Sequence, residues 1–421
     1  MTPRSTRLLF ATICGVSVAT IYSAQPMLTQ IGSDLGVSSG SLGWIVTAGQ
    51  LGYLAGLGLL VPLGDLRDRR TLIVGHLLLT AVGVVIAGTA THAWTMLAGV
   101  AIAGLFSVVV QTTVAFAAAL SAPQERGRTL GVVTAGVVIG ILGARTVSGA
   151  LATAWGWRSA YAALAALLVV LAALVLTLLP PDPRADRPSY RQALSASRML
   201  FGDRLFVSRG LIAFFLFASF GTLWSGLALP LTASPWHLSA AQIGLFGIAG
   251  LAGALGAGRA GRWADAGFAN AVTGAALALL AASWLAIAQT SWALWLLVVG
   301  VIILDFAVQA VHVSNQHLLT AIHPNHASSV IGGYMLFYSL GSALGAVGTT
   351  AVYSAAGWIG SSILGAVFAI GALAVWTATR PVSSCDGSHR SAPKASQTTT
   401  KGVGPYGPTP FVVSCERLWR S

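Results

Sequence analysis

Three polar side chains share one face of an otherwise apolar stretch. In VIILDFAVQAVHVSNQ, Asp305, Gln309 and His312 are spaced i, i+4 and i+7, so on a helix they line up along one side. A carboxyl there can hold and release a proton, and the amide and imidazole beside it can bind a polar solute. A second apolar stretch carries Arg145. A charge at the centre of a bilayer costs from ~3 to over 10 kcal/mol, so it faces a partner or a cavity. Asp305 and Arg145 are the two charges set away from the ends of such stretches, which marks them for proton coupling or for lining a polar cavity. The alternatives are an Asp hydrogen-bonded between helices and an Arg that packs or snorkels. Gln25, Gln50 and Gln111 also fall inside apolar runs, where amides bind ligand or stitch helices together. His317, His323 and His326 gather at the end of one run and read as a solvated turn rather than a metal site. No metal or cofactor is expected.

The elements that position these residues follow from composition. The 421 residues are 8% charged and 55% hydrophobic, with a mean hydropathy of +0.79. A soluble domain is about 25% charged. Near-uncharged runs of 20 residues or more point to an all-α integral membrane protein. Cys14, Cys385 and Cys415 match no metal, redox or disulfide spacing. The net charge of +12 is spread through short gaps between apolar runs, so it reads as an orientation signal and nucleic acid is not expected as a partner. The first apolar run follows Arg4 and Arg7, is long enough to span and lacks a convincing cleavage site, so it reads as an uncleaved first span.

Twelve segments qualify as spans. The first six are 8–31, 42–64, 71–92, 94–119, 129–153 and 159–179. The second six are 210–231, 240–258, 269–289, 292–315, 327–353 and 358–379. This divides the chain into an N-terminal six-helix bundle (1–180), a linker (181–209), a C-terminal six-helix bundle (210–380) and a disordered tail (381–421) rich in Ser, Thr, Pro and Gly. With both termini in the cytoplasm, all the Lys and Arg except Arg145 and Arg158 lie on the cytoplasmic side. Trp44, Trp94, Trp155, Trp157, Trp236, Trp292 and Trp358 gather at the opposite ends as an interfacial belt. A multi-pass protein of a bacterial cytoplasmic membrane is expected, acting as a monomer in the lipid bilayer.

The densest charge cluster, Asp65 to Arg70 in LLVPLGDLRDRRTLIVG, is then the cytoplasmic turn between spans two and three. Its arginines oppose translocation. That topological role does not account for Asp65 and Asp68.

The halves also echo one another. Gly56, Gly58 and Asp65 recur as Gly256, Gly258 and Asp265, Pro123 as Pro324, and Gly156-Trp157 as Gly357-Trp358, at a steady offset of 200 to 201 residues. Six spans return the chain to its starting side, so the repeats are parallel. Two such bundles with a site between them are the structural basis of rocking-type alternating access.

Over residues 7–380 the sequence resembles the major facilitator superfamily. The family's turn signature between spans two and three, G-x3-D-R-x-G-R-R, reads here Val61-Pro62-Leu63-Gly64-Asp65-Leu66-Arg67-Asp68-Arg69-Arg70. The acid and the final arginine pair match. Val61, Leu66 and Asp68 depart from the pattern. The second half keeps Gly261-x3-Asp265 without the trailing arginines. The family's antiporter motif, G-x8-G-x3-G-P-x2-G-G, is matched in span five by Gly131 and Gly140. There Ala144-Arg145 stands for Gly-Pro and Ser148-Gly149 for Gly-Gly. Tyr22-Ser23-Ala24-Gln25-Pro26 resembles a bacterial branch of drug and metabolite efflux carriers. Span four lacks the arginine usual in drug–proton antiporters.

The resemblance implies twelve helices in two pseudo-symmetric bundles, with a cavity lined by spans one, four, seven and ten. It also implies a gate in which Asp65 and Arg69, with Arg70, Gly261 and Asp265, latch the cytoplasmic side. The expectation is secondary active transport, with proton-coupled efflux of a small organic compound ahead of uptake by symport. Protons and a small-molecule substrate would be the partners. A membrane enzyme or sensor is disfavoured, because the chain has no Walker loop, no HExxH and no large extramembrane segment. Gly52, Gly56, Gly58, Gly341 and Gly345 fit either sliding interfaces between the halves or static packing.

Overall fold

The computed structural model describes residues 4–122, 125–182, 201–263, 269–322 and 327–379. Apolar runs without water to satisfy their backbone must close their hydrogen bonds internally, and the described chain does so as helices. The spans are α1 (Arg4–Tyr22, prolonged by Leu28–Leu35), α2 (Gly43–Leu59), α3 (Arg69–Gly88), α4 (Ala93–Phe106, prolonged by Val109–Leu120), α5 (Arg126–Trp155) and α6 (Trp157–Leu178). The second half has α7 (Arg204–Gly226), α8 (Ala240–Trp263), α9 (Ala269–Ile287) and α10 (Leu294–Ile322). The final helical stretch, Ala327–Thr379, is interrupted at Gly357 (φ 63°, ψ −162°), which separates α11 from α12. The fold is therefore twelve helices in two six-helix halves. Large apolar side chains such as Leu78, Val82, Val85, Val169, Val170 and Leu174 stand exposed in helical stripes. That surface suits lipid and not water.

Several sequence features acquire a cause. Both copies of the repeated Gly-Trp pair make a tight helix-to-helix turn: Gly156 (φ 82°) and Gly357 (φ 63°) occupy a region that disfavours side chains. The tryptophans that follow anchor the turn, Trp157 donating to Asp34 Oδ2 at 3.1 Å and Trp358 to the Ile287 carbonyl at 2.9 Å. Arg158, one of the two exceptions to the charge asymmetry, pairs with Asp34, stacks on Trp157 and donates to the Ala90 carbonyl at 3.0 Å. Its charge is matched on its own side. In span one, Pro26 lacks an N–H, and the helix gives way at Gln25–Met27 to a short 3₁₀ turn. That break frees Gln25 to serve the neighbouring helices.

The seventh helix starts at Arg204, inside the stretch read as linker. Asp203 caps it by accepting from the Leu205 N–H at 2.9 Å. Residues 183–200 and the tail 381–421 lie outside the described residues.

The two halves meet where α5 packs on α8 and α2 on α11. Backbones approach closely there because glycines line the seam. A Cβ built on Gly43 would lie 2.1 Å from the Ala346 carbonyl oxygen, and one on Gly149 2.2 Å from that of Ala240. Gly244 and Gly247 would meet the carbonyl oxygens of Arg145 and Leu142 at 2.5 and 2.4 Å. Polar bonds reinforce the same end of the seam. Thr47 donates to the Ala343 carbonyl (3.0 Å), the Gly43 N–H to Thr350 (3.1 Å) and the Ala241 N–H to Thr153 (2.9 Å). All these residues lie toward the tryptophan-rich ends. Toward the arginine-rich ends, a Cβ on Gly58, Gly131 or Gly332 would meet nothing within 4 Å. Gly52, Gly56, Gly341 and Gly345 do not sit on this seam. They press on Ala101, Leu105, Phe214 and Ala218 inside their own halves.

A buried polar cluster at the seam

Arg145 is the largest fully buried side chain and is 1% exposed. Its Nε donates to Gln25 Oε1 at 2.8 Å and its Nη1 to the Ile141 carbonyl at 2.7 Å. The guanidinium then crosses to the other half and lies over Trp224, 3.9 Å from the ring centroid, with Tyr22 and Phe220 at 5.3 and 5.5 Å. Aromatic faces attract a desolvated cation by up to about 2 kcal/mol. Beside Trp224, on α10, lies Asp305, also 1% exposed. A Cβ on Gly250 would sit 2.7 Å from Asp305 Oδ2 and 2.9 Å from the Trp224 ring. Arg145 and Asp305 attract one another across the seam without direct contact. The Trp224 indole N–H faces the Asp305 carboxylate, and Arg145 Nη2 makes no hydrogen bond. A buried donor in that condition is costly. The space bounded by Gln25, Pro26, Arg145, Trp224, Leu227 and Ile243 holds about 10 Å³, near the limit for one water. In this conformation the cluster is closed over.

The repeat has a direct consequence here. Gln25 Nε2 donates to Ser225 Oγ at 3.3 Å, and the two residues are 200 positions apart. That is the offset of the repeat, so pseudo-equivalent side chains meet at the axis between the halves. One layer further toward the arginine-rich end, Tyr22 and Tyr338 join the halves hydroxyl to hydroxyl. Gln50 Nε2 donates to Tyr22 at 3.4 Å, and Gln111 Nε2 to Tyr53 at 3.1 Å. His312 Nδ1 lies 3.3 Å from the Tyr334 hydroxyl and packs on Phe217 and Tyr338. Gln309 is half-buried on the same face.

Of the span-five motif, Gly140 packs on Gly15 of α1, and Ser148 donates to the Ser23 carbonyl at 3.0 Å. Ala144 accepts from Ser148 at 2.7 Å, and Gly149 lies on the seam. Gly131 faces open space. The motif thus gives α5 one face toward α1 and one toward α8. A groove of about 500 Å³ runs between α1, α5 and α6 and is lined by no charged residue.

The charged turn binds its own half. Arg69 Nε donates to the Gly64 carbonyl (3.2 Å) and Nη1 to that of Ala115 (3.4 Å), with Asp182 Oδ2 at 3.9 Å. Arg70 donates to the Leu176 carbonyl. Asp68 Oδ1 accepts from the Thr71 N–H (2.8 Å) as the cap of α3, and Oδ2 accepts from the Asp182 N–H (3.0 Å). Burial pushes the Asp68 carboxyl up. The Thr71 and Asp182 N–H groups, with the Thr71 side chain and Arg70, outweigh this and hold it below the usual carboxylate range. The backbone of Asp65 lies in the short helix Leu63–Leu66, and Gly261 lies in α8. Asp265, His323 and His326 lie outside the described residues.

Sequence reasoning singled out Arg145, Asp305 and Gln25, which the fold brings together at the seam. It missed Trp224, Tyr22, Tyr338 and the buried Arg209, whose Nη1 lies 3.5 Å from Asn315 Oδ1. Aromatic residues in an apolar run give no contrast, and Arg209 falls at the end of the stretch read as linker.

Residues 8–231 match the family model described as Major Facilitator Superfamily. The chain is 40% identical over 370 residues to the "Uncharacterized transporter YgaY" of Escherichia coli O157:H7, covering 88% of this chain and 94% of that protein. It is 28% identical over 249 residues to the "Chloramphenicol resistance protein" of Streptomyces lividans, covering 53% and 62%. The fold is similar to the crystal structure of a bacterial homolog of the human lysosomal transporter Spinster. The TM-score is 0.76 at 16% identity, covering 89% of this chain and 97% of that one.

Proposed function

Because this chain belongs to the major facilitator superfamily, a transporter family and not an enzyme class, we propose that it exports a small organic compound in exchange for protons. The observation that carries the reading is Asp305: a carboxyl only 1% exposed, set against Trp224 at the Trp224–Arg145 contact that joins the halves. When Asp305 is ionised, its attraction for Arg145 holds the tryptophan-rich end of the seam shut. Protonation removes that attraction, and the seam parts. Substrate and proton then take turns at one cluster, which couples their fluxes. The similarity to a chloramphenicol resistance protein supports export over uptake. The arginine-rich termini support a bacterial cytoplasmic membrane with both ends inside.

The test is Asp305→Asn in proteoliposomes with an imposed pH gradient. Gradient-driven transport should fall at least about tenfold, the factor expected for 1.4 kcal/mol, while substrate exchange without a gradient persists. Wild-type accumulation and wild-type pH dependence in the mutant would overturn the coupling role.

A further inference from the structure

Arg209 has no place in the coupling cluster. It lies in the second turn of α7, toward the arginine-rich end, and is 9% exposed. Its hydrogen bond, from Nη1 to Asn315 Oδ1, is a long one at 3.5 Å, and its Nε has no partner. No carboxylate among the described residues pairs with it. Asn315 is 1% exposed, and its side chain also bonds Tyr334. Tyr334 lies beside both. Three helices therefore turn donors toward one point, and the charge there lacks a counter-charge. Burying an unpaired cation costs several kcal/mol, so the site calls for an anion.

The surroundings narrow the kind of anion. Arg209, Ala213 and Phe217 follow one face of α7 at i, i+4 and i+8, so the cation and the ring share that face with only a small side chain between them. His312 packs edge-on to Phe217 with centroids 5.1 Å apart, and Tyr338 lies 3.9 Å from Phe217. Tyr334 lies 5.5 Å from His312. A cation at one end and a nest of flat rings next to it match a carboxylate joined to a planar apolar body. Arg is well suited to the first part because its fork meets a carboxylate with two parallel bonds.

We infer that Arg209 and Asn315 bind the carboxylate of a planar organic acid whose body lies among Phe217, His312, Tyr334 and Tyr338. This rests on the transport reading and names the class of compound carried. Tyr334 and Tyr338 are one turn apart on α11, which links this site to the Tyr22–Tyr338 contact.

The experiment measures benzoate binding to the full-length protein in phosphatidylcholine nanodiscs by thermal-shift titration, with benzamide as its neutral isostere. Wild type should bind benzoate saturably and at least about tenfold more tightly than benzamide, since a charge-assisted pair contributes about 1.5–3 kcal/mol. Arg209→Gln should erase that preference, Arg209→Lys should keep part of it, and Asn315→Ala should weaken benzoate without affecting benzamide. Equal affinity for the two compounds in wild type, no saturable benzoate binding, or an unchanged preference in Arg209→Gln would overturn the assignment. Should Arg209→Gln fail to fold, the Lys and Asn315→Ala variants still decide it, because unaltered benzoate affinity in Asn315→Ala contradicts the site. Arg209-dependent binding without flux would sink the export reading and leave the site standing. Export that is indifferent to Arg209 would do the reverse.

Discussion

The two ends of the molecule are held by different means. At the tryptophan-rich end the halves hold each other: Gly43, Gly149, Gly244 and Gly247 bring backbones into contact, and Thr47, Thr153 and Thr350 bond across. At the arginine-rich end, the contacts seen among the described residues tie α3, through Asp68, Arg69 and Arg70, to Gly64, Ala115, Leu176 and Asp182 of their own half. The first arrangement is a closure that can open by rigid rocking. The second makes one half a stiff body that can rock. The difference separates residues that govern the equilibrium between conformations from residues that hold a half together.

The largest effect should come from locking the closure. A Cβ on Gly40 lies 3.3 Å from the Ser354 Cβ, near disulfide distance. The double variant Gly40→Cys/Ser354→Cys should lose transport under oxidation and recover it with reductant. Full transport with the cross-link formed would show that this end does not open in the cycle. A smaller effect is expected from wedging it. Gly149→Leu forces side-chain volume against the Ala240 carbonyl, at a cost of about 1–3 kcal/mol. It should therefore shift the equilibrium toward parted halves by about 5- to 150-fold, read as faster labelling of a cysteine at Ser225, which is buried at the axis between the halves. Gly58→Leu, where the space is open, should leave labelling unchanged. Equal labelling in both variants would erase the contrast between the ends.

How much of this the sequence discloses depends on what makes a residue stand out. Hydropathy marks the twelve spans, and Arg145 and Asp305 stand out because charge is costly in lipid. The repeat predicts an axis, and the Gln25–Ser225 bond lies on it. Hydropathy does not say which face meets which neighbour, so Gly52 and Gly341 fit sliding and static interfaces alike until they are found packed within their own halves. Trp224 is indistinguishable from any other apolar residue until Arg145 is found stacked on it. Asp68 stayed unaccounted for in the sequence because its partner, the Asp182 N–H, lies 114 residues away.

That carboxylate gives the smallest expected effect. Asp68→Ala removes a helix cap and the tie to Asp182, which together should lower stability by about 1 kcal/mol without altering the conformational equilibrium. The carboxyl is held below its ordinary value, so its stabilisation is fully present above about pH 4. It is lost as pH falls through the lower folded value. Wild type and Asp68→Ala should thus differ in unfolding temperature at pH 7 and converge once the pH falls below the carboxyl's lowered folded-state value. A difference that grows in acid would contradict the assigned contacts.

The central claim is that the charge on Asp305 holds the tryptophan-rich end of the seam closed. Spin labels at Ser38 and Ala355, exposed on opposite halves at that end, report it directly by their distance distribution in nanodiscs. Asp305→Asn should lengthen the distances at neutral pH, and acid should lengthen them in wild type but not further in the mutant. Superimposable distributions for wild type and Asp305→Asn at every pH would contradict the claim.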